Sequence, residues 1–206
     1  MPTLLHIDSS PLESSISREL TREFTKTWKE KNPGGDVIDR NLSASPPKPI
    51  DQTWVGASFT PEGGRTPQQT AVLADSDTLI AELERADEIV IGVAMHNFSI
   101  PSVLKLWIDQ VVRSGKTFSY GANGAEGLLK GKKATVAVAS GGVYEAGTPA
   151  ASMNFIEPYL RAILGFVGIT DIKVVTAAGA AQIMMGAIDR EAFLKPTLEQ
   201  VRALTA

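Results

Sequence analysis

The 206-residue chain contains no cysteine. That excludes disulfides and thiol catalysis, removes thiolate metal ligands, and fits a reducing compartment. Histidine is scarce as well: there are two, His6 and His96, and no close pair. Hydrolytic triads and zinc sites therefore have little to be built from. G-x-G-x-x-G follows none of the candidate strands and G-x-S-x-G does not occur. The segment Gly127–Lys133 (GLLKGKK) imitates a phosphate-binding lysine loop. Its spacing is one residue short, no hydroxyl follows the lysine, and it precedes a strand instead of following one. A formal charge of −3 offers no long-range attraction for nucleic acid or an anionic membrane. The longest clean apolar run, Ile89–Met95, falls far short of the ~20 residues that span a bilayer. Met1–Ile7 has neither the cationic start nor the apolar length of a signal peptide. A cytoplasmic protein is expected, with no nucleic-acid or membrane partner.

What is present is ordinary for a globular chain, with 43% hydrophobic and 21% charged residues. Short β-branched runs at Leu4–Ile7, Asp36–Arg40, Glu88–Val93, Ala134–Ala139 and Ile172–Ala177 read as strands. Between them lie helix-period segments: one opening at Ser17 with Leu20, Phe24 and Trp28 on one stripe, then Pro67–Arg85, Pro101–Arg113 and Met153–Val167. A last helix is expected near Gly186, kinked or interrupted by Pro196. Strands that are apolar on both faces and alternate with helices predict a parallel sheet covered on both sides. The expected fold is α/β: a single domain over 1–206 with a flavodoxin-like, doubly wound five-stranded parallel sheet. Two connections, Asn41–Thr66 and Gly115–Lys132, exceed normal length, and the first carries Trp54 and Phe59.

In this strand order the ligand crevice lies outside the carboxyl ends of strands one, three and four. The loop after strand one, residues 8–17, is Asp8 followed by SSPLESSIS, with five serines and neither glycine nor a cation. Ser10, Ser15 and Ser17 can join the helix N–H groups in cradling a phosphate; equally, they can form a polar turn with a helix cap. Met95-His96-Asn97-Phe98 after strand three mixes soft apolar, aromatic and amide groups suited to the face and edge of a heterocycle, or simply tucks beneath the next helix. Ser140-Gly141-Gly142 lets backbone approach a flat ligand, or is a flexible strand exit. Together the three loops describe a flat, polar-edged heterocycle bearing a phosphate, as flavin mononucleotide (FMN) does. His6 reads as a packed strand residue.

Those loops, with TPQQ before the second helix, TFSYGANGAEGLLKGKKA, SGGVYEAG and LGFVGITD, resemble the bacterial FMN-dependent NADH-azoreductases, relatives of the NAD(P)H:quinone reductases. The likeness spans nearly the whole chain. It implies that Ser10, Ser15, Ile16 and Ser17 hold the FMN phosphate. Met95, His96, Asn97 and Phe98 would line the isoalloxazine ring, Ser140, Gly141 and Gly142 its pyrimidine edge, and Tyr120 would lie on the substrate side. It implies non-covalent FMN, NADH or NADPH as donor, azo dyes and quinones as acceptors in a ping-pong hydride transfer, and a homodimer with its site between subunits. No side chain need be a catalytic nucleophile, because the flavin carries the chemistry. His96 stands where family members often carry tyrosine, and Phe59 near a position where some carry arginine. The competing expectation is a flavodoxin-type electron carrier without a nicotinamide site.

Overall fold

The computed structural model describes residues 1–122 and 124–205. Five strands, β1 (Thr3–Asp8), β2 (Asp36–Asn41), β3 (Glu88–Ala94), β6 (Lys133–Ser140) and β7 (Asp171–Ala178), form a parallel sheet of order β2-β1-β3-β6-β7. This is the expected flavodoxin-like order. The remaining pair, β4 (Phe118–Gly121) and β5 (Gly124–Gly127), makes an antiparallel hairpin within the second long connection.

Burial explains the layering. Every residue of β1 is buried, and its side chains alternate between two apolar layers. Leu4 packs with Leu20, Phe24 and Trp28 of α1 (Ile16–Lys31) and Val201 of α7 (Arg190–Leu204). Leu5 and Ile7 enter the larger layer, with α3 (Pro67–Arg85), α4 (Ser102–Val111) and α5 (Glu157–Phe166). Gly92 in β3 permits the close seat of α1: a Cβ there would lie 2.9 Å from Asp8 Oδ1 and 3.3 Å from the Ser17 carbonyl.

The first long connection is built, not loose. It contains α2 (Gln52–Phe59), capped by Asp51, whose carboxylate accepts from the Trp54 N–H at 2.7 Å. Trp54 packs with Ala57 and Leu73 of α3, and its indole N–H donates to Gln110 Oε1 at 2.8 Å. At the far end of α2, Phe59 stays exposed. Thr66 and Gln69 form a reciprocal capping box at the start of α3.

Three boundaries differ from expectation. The N-cap of α1 is Ser15, not Ser17, because the helical turn starts one residue after the loop's own turn, closed by Ser15 N–H to Leu12 O. In the 153–167 segment, helix α5 starts only at Glu157, since Asn154 Oδ1 takes up the N–H groups of Ile156 and Glu157. A one-turn helix, α6 (Ala181–Met184), precedes Gly186, and α7 begins at Arg190 and runs through Pro196. Proline removes one hydrogen bond there, but Leu194, Thr197 and Val201 remain buried on the inner face and hold the helix together.

A candidate flavin site at the carboxyl edge of the sheet

The loop after β1 is fastened from behind. Ser9 Oγ donates to the Gly92 carbonyl at 2.6 Å, tying the strand exit to β3. Arg18, almost fully buried, donates to the Ser10 carbonyl through Nε at 3.2 Å and Nη2 at 2.9 Å, and through Nη2 to Asn41 Oδ1 at 2.9 Å. Asp8 beneath it accepts from Thr21 Oγ1 at 2.9 Å and lies 3.4 Å from His6 and 3.9 Å from Arg18. Burial pushes the Asp8 carboxyl up, yet the hydrogen bonds and charges of His6, Thr21 and Arg18 together outweigh it and hold the group below its usual range. The buried carboxylate thus stays ionised and steadies Arg18.

The groove side of the same loop is left with free donors. Ser15 caps α1 by position but takes none of the helix's backbone N–H groups with its side chain; its Oγ is hydrogen-bonded at 3.0 Å to Ser17 Oγ. The first N–H groups of α1 have no intrahelical acceptor by geometry. Hydroxyls and N–H groups at a helix amino end suit a phosphate.

A groove of about 350 Å³ opens there, within the range of roughly 300–1,000 Å³ typical of ligand sites. It brings together seven of the residues expected from sequence: Ser10, Ser15, Ile16, Met95, His96, Ser140 and Gly141. A Cβ on Gly141 would meet nothing within 4 Å, so its open space faces the groove it lines. The carbonyls of Ser140, Gly141 and Gly142 accept from Ala180, Ala181 and Gly179 at 2.9, 3.1 and 3.0 Å. That stitching fixes the strand exit without consuming the N–H groups of Gly141 and Gly142.

The other five fall outside the groove lining. Ser17 sits behind Ser15, fully buried. Gly142 backs onto the Tyr144 ring. Asn97 and Phe98 occupy the tip of a tight turn, where His96 and Ser99 exchange two backbone bonds of 3.0 Å. Both tip residues are left-handed, with φ of 48° and 68°. Asparagine tolerates that region; phenylalanine does so at a cost of about 1–2 kcal/mol. The turn is held by Phe155 N–H to Phe98 O at 3.1 Å and by the Phe98 edge against Tyr144, centroids 5.8 Å apart. Tyr120 lies on the β4–β5 hairpin, 73% exposed, its ring edge-on to Phe118 at 5.5 Å.

Sequence reasoning missed the fourth wall. Leu12, Ile183, Met184 and Arg190 also line the groove. The rule that ligands sit at the carboxyl ends of strands pointed equally to the loop after β7, where Ile183 and Met184 stand. Arg190 had no local signal: it reaches the serine loop only through the docking of α7 against α1. A larger groove of about 760 Å³ runs between α1 and β2. Most of its lining residues are charged, with His6 buried between Asp8 and Asp39 at 3.4 Å each, and no glycine opens its backbone to a flat heterocycle.

A sheet of this order with such a crevice defines a class, and residues 2–204 match the family model described as flavodoxin-like fold. The chain belongs to that family. It is 59% identical over 206 residues, covering both chains fully, to the FMN-dependent NADH:quinone oxidoreductase of Acidobacterium capsulatum. Among solved structures it is similar to the azoreductase of Bacillus anthracis strain Sterne, with a TM-score of 0.89, 28% identity, and coverage of 100% of this chain and 99% of that one. It is also similar to the FMN-dependent NADH-azoreductase of B. anthracis strain Ames Ancestor in complex with FMN, with a TM-score of 0.87, 28% identity, and coverage of 100% and 98%.

Proposed function

We propose that this chain is an FMN-dependent oxidoreductase that takes hydride from NADH or NADPH and passes the electrons to quinones and azo compounds. The observation that carries the reading is the single groove in which a hydroxyl-and-N–H cup, a glycine-opened strand exit and a soft apolar wall meet. The 59% identity to a quinone oxidoreductase over the full length supports the reaction class and disfavours a flavodoxin-type carrier. Bound FMN would supply the chemistry itself, accepting a hydride from the nicotinamide and delivering two electrons to the acceptor.

The chain's own tasks are to bind and to orient. Ser10, Ser15 and the N–H groups from Ile16 onward take the phosphate, and Ser17, buried behind them, holds the Ser15 hydroxyl. Met95 and His96 line the ring, and the tip formed by Asn97 and Phe98 sets the position of both. Gly141 and Gly142 leave their N–H groups without a backbone acceptor, and Gly141, which lines the groove, would offer its donor to negative charge on a reduced heterocycle. Ser140 holds those glycines in place, its Oγ donating to the Gly142 carbonyl at 2.8 Å. The acceptor approaches from the side of Tyr120. The functional unit is a homodimer of single-domain chains spanning 1–206, with the acceptor site between subunits, and it resides in the cytoplasm. Among the described residues no helix is long and apolar enough to cross a membrane.

Stopped-flow mixing of the FMN-loaded protein with each nicotinamide tests the reading. NADH or NADPH should bleach the flavin band, and benzoquinones or azo dyes should restore it. A flavin that neither nicotinamide bleaches refutes the reductase reading.

A further inference from the structure

A phosphate monoester brings one to two negative charges to a protein whose formal charge is already −3. The serine loop supplies no cation of its own. Arg18, the nearest in sequence, is spent: it is 3% exposed and turned to the back of the loop, on the Ser10 carbonyl, Asn41 and Glu13. A carboxylate also stands near the phosphate end, because Glu19 lies in the first turn of α1 and pairs with Arg190 of the groove lining. Uncompensated, Glu19 would repel an anion at that helix terminus.

Arg190 resolves both problems. It is the first residue of α7, it lines the groove beside Ser14 and Ser15, and it is the one lysine or arginine among the lining residues. Its Nη2 donates to the Ser14 carbonyl at 2.9 Å and to Glu19 Oε2 at 2.7 Å. A guanidinium has five N–H donors in a fixed fork, and among the described residues only those on Nη2 are engaged. The side chain is 40% exposed. It is therefore anchored at one nitrogen, with Nε and Nη1 still able to donate.

We propose that Arg190 is the cation of the flavin phosphate site: it neutralises Glu19, offers its free N–H groups to the phosphate, and makes the groove prefer the phosphorylated flavin to riboflavin. The inference rests on the FMN reading above and assigns to this one arginine the charge recognition that the serines lack. Arg190 is a binding residue for the phosphate, remote from the reacting ring.

The test is a fluorescence titration of the flavin-stripped, full-length chain with FMN and, separately, with riboflavin, for wild type, Arg190→Gln and Arg190→Lys. The glutamine can still donate to the Ser14 carbonyl, so it separates charge from bracing, and circular dichroism with thermal melting checks that each variant is folded. Arg190→Gln should weaken FMN roughly 10- to 100-fold, the range of a charge-assisted hydrogen bond, and leave riboflavin close to wild type. Arg190→Lys should lie between the two, and raising the salt should weaken FMN less in the glutamine variant than in wild type. Equal losses for FMN and riboflavin, or no loss for either, would overturn the proposal. Wild-type chain that binds neither flavin would instead overturn the FMN reading on which it rests.

Discussion

At the scale of single residues, the serine loop divides into a back that is fully bonded and a front that is not. Ser9 and Arg18 hold the loop to β3 and β2, while Ser15 caps α1 without taking a backbone N–H of the helix. A side chain kept at a cap position but spared from capping is available to a ligand. Replacing Ser15 and Ser17 together by alanine should weaken FMN retention roughly tenfold, taking about 0.5–1.5 kcal/mol for each hydrogen bond, while turnover at saturating FMN changes little. Dialysis followed by flavin absorbance measures retention; unchanged retention would return the loop to a polar turn. The hydroxyls were legible in the sequence because they form a local cluster. The α1 cap was misplaced by two positions, because the turn that starts the helix is set by the Ser15–Leu12 backbone bond, which no side chain signals. Arg190 was invisible at this scale, since its meaning depends on a contact between residues 176 positions apart.

At the scale of elements, the strands and most helices follow directly from periodicity, and the two long connections do not. Asn41–Thr66 holds a short helix whose stability rests on tertiary bonds, chiefly Trp54 to Gln110, and Gln110 Nε2 in turn donates to the Lys48 carbonyl at 2.7 Å. Gly115–Lys132 is a hairpin in which Gly127 touches the turn after α5. A Cβ on Gly127 would fall 2.2 Å from the Gly168 nitrogen and 2.3 Å from the Val167 carbonyl carbon. Both are backbone atoms, so no side chain can move aside to relieve the clash. Gly127→Ala should therefore destabilise the fold by at least about 1–3 kcal/mol, as overpacking does. It should also loosen the segment carrying Tyr120, read as a lowered urea midpoint and faster amide exchange across β4 and β5. An unchanged midpoint would show that the two backbones are not in contact. Such close approaches are set by the distance between segments far apart in sequence, which composition cannot reveal.

At the scale of the whole molecule, several large apolar side chains are left in water. Phe59 is 78%, Tyr120 73% and Phe155 57% exposed. Single exposed apolar residues are common, but these sit on the two long connections and on the segment that supports the Asn97–Phe98 turn. Burial against a second copy would account for all three. Light scattering after size exclusion should return the mass of two chains, and Phe59→Asp should shift the population towards one chain; a wild-type monomer at micromolar concentration would remove this explanation. The flavodoxin-like order and the crevice were legible at this scale because strand alternation and crossover handedness leave few topologies. The expectation of a homodimer rests on the family resemblance alone.

The contact between Ser14 and Arg190 also sets a temporal order. Synthesis makes the serine loop well before Arg190, which lines the same groove from 176 positions further along the chain. A nascent chain that has not yet reached α7 therefore lacks the Arg190 part of the groove lining. If Arg190 holds the phosphate, tight capture of FMN reports that α7 has docked against α1.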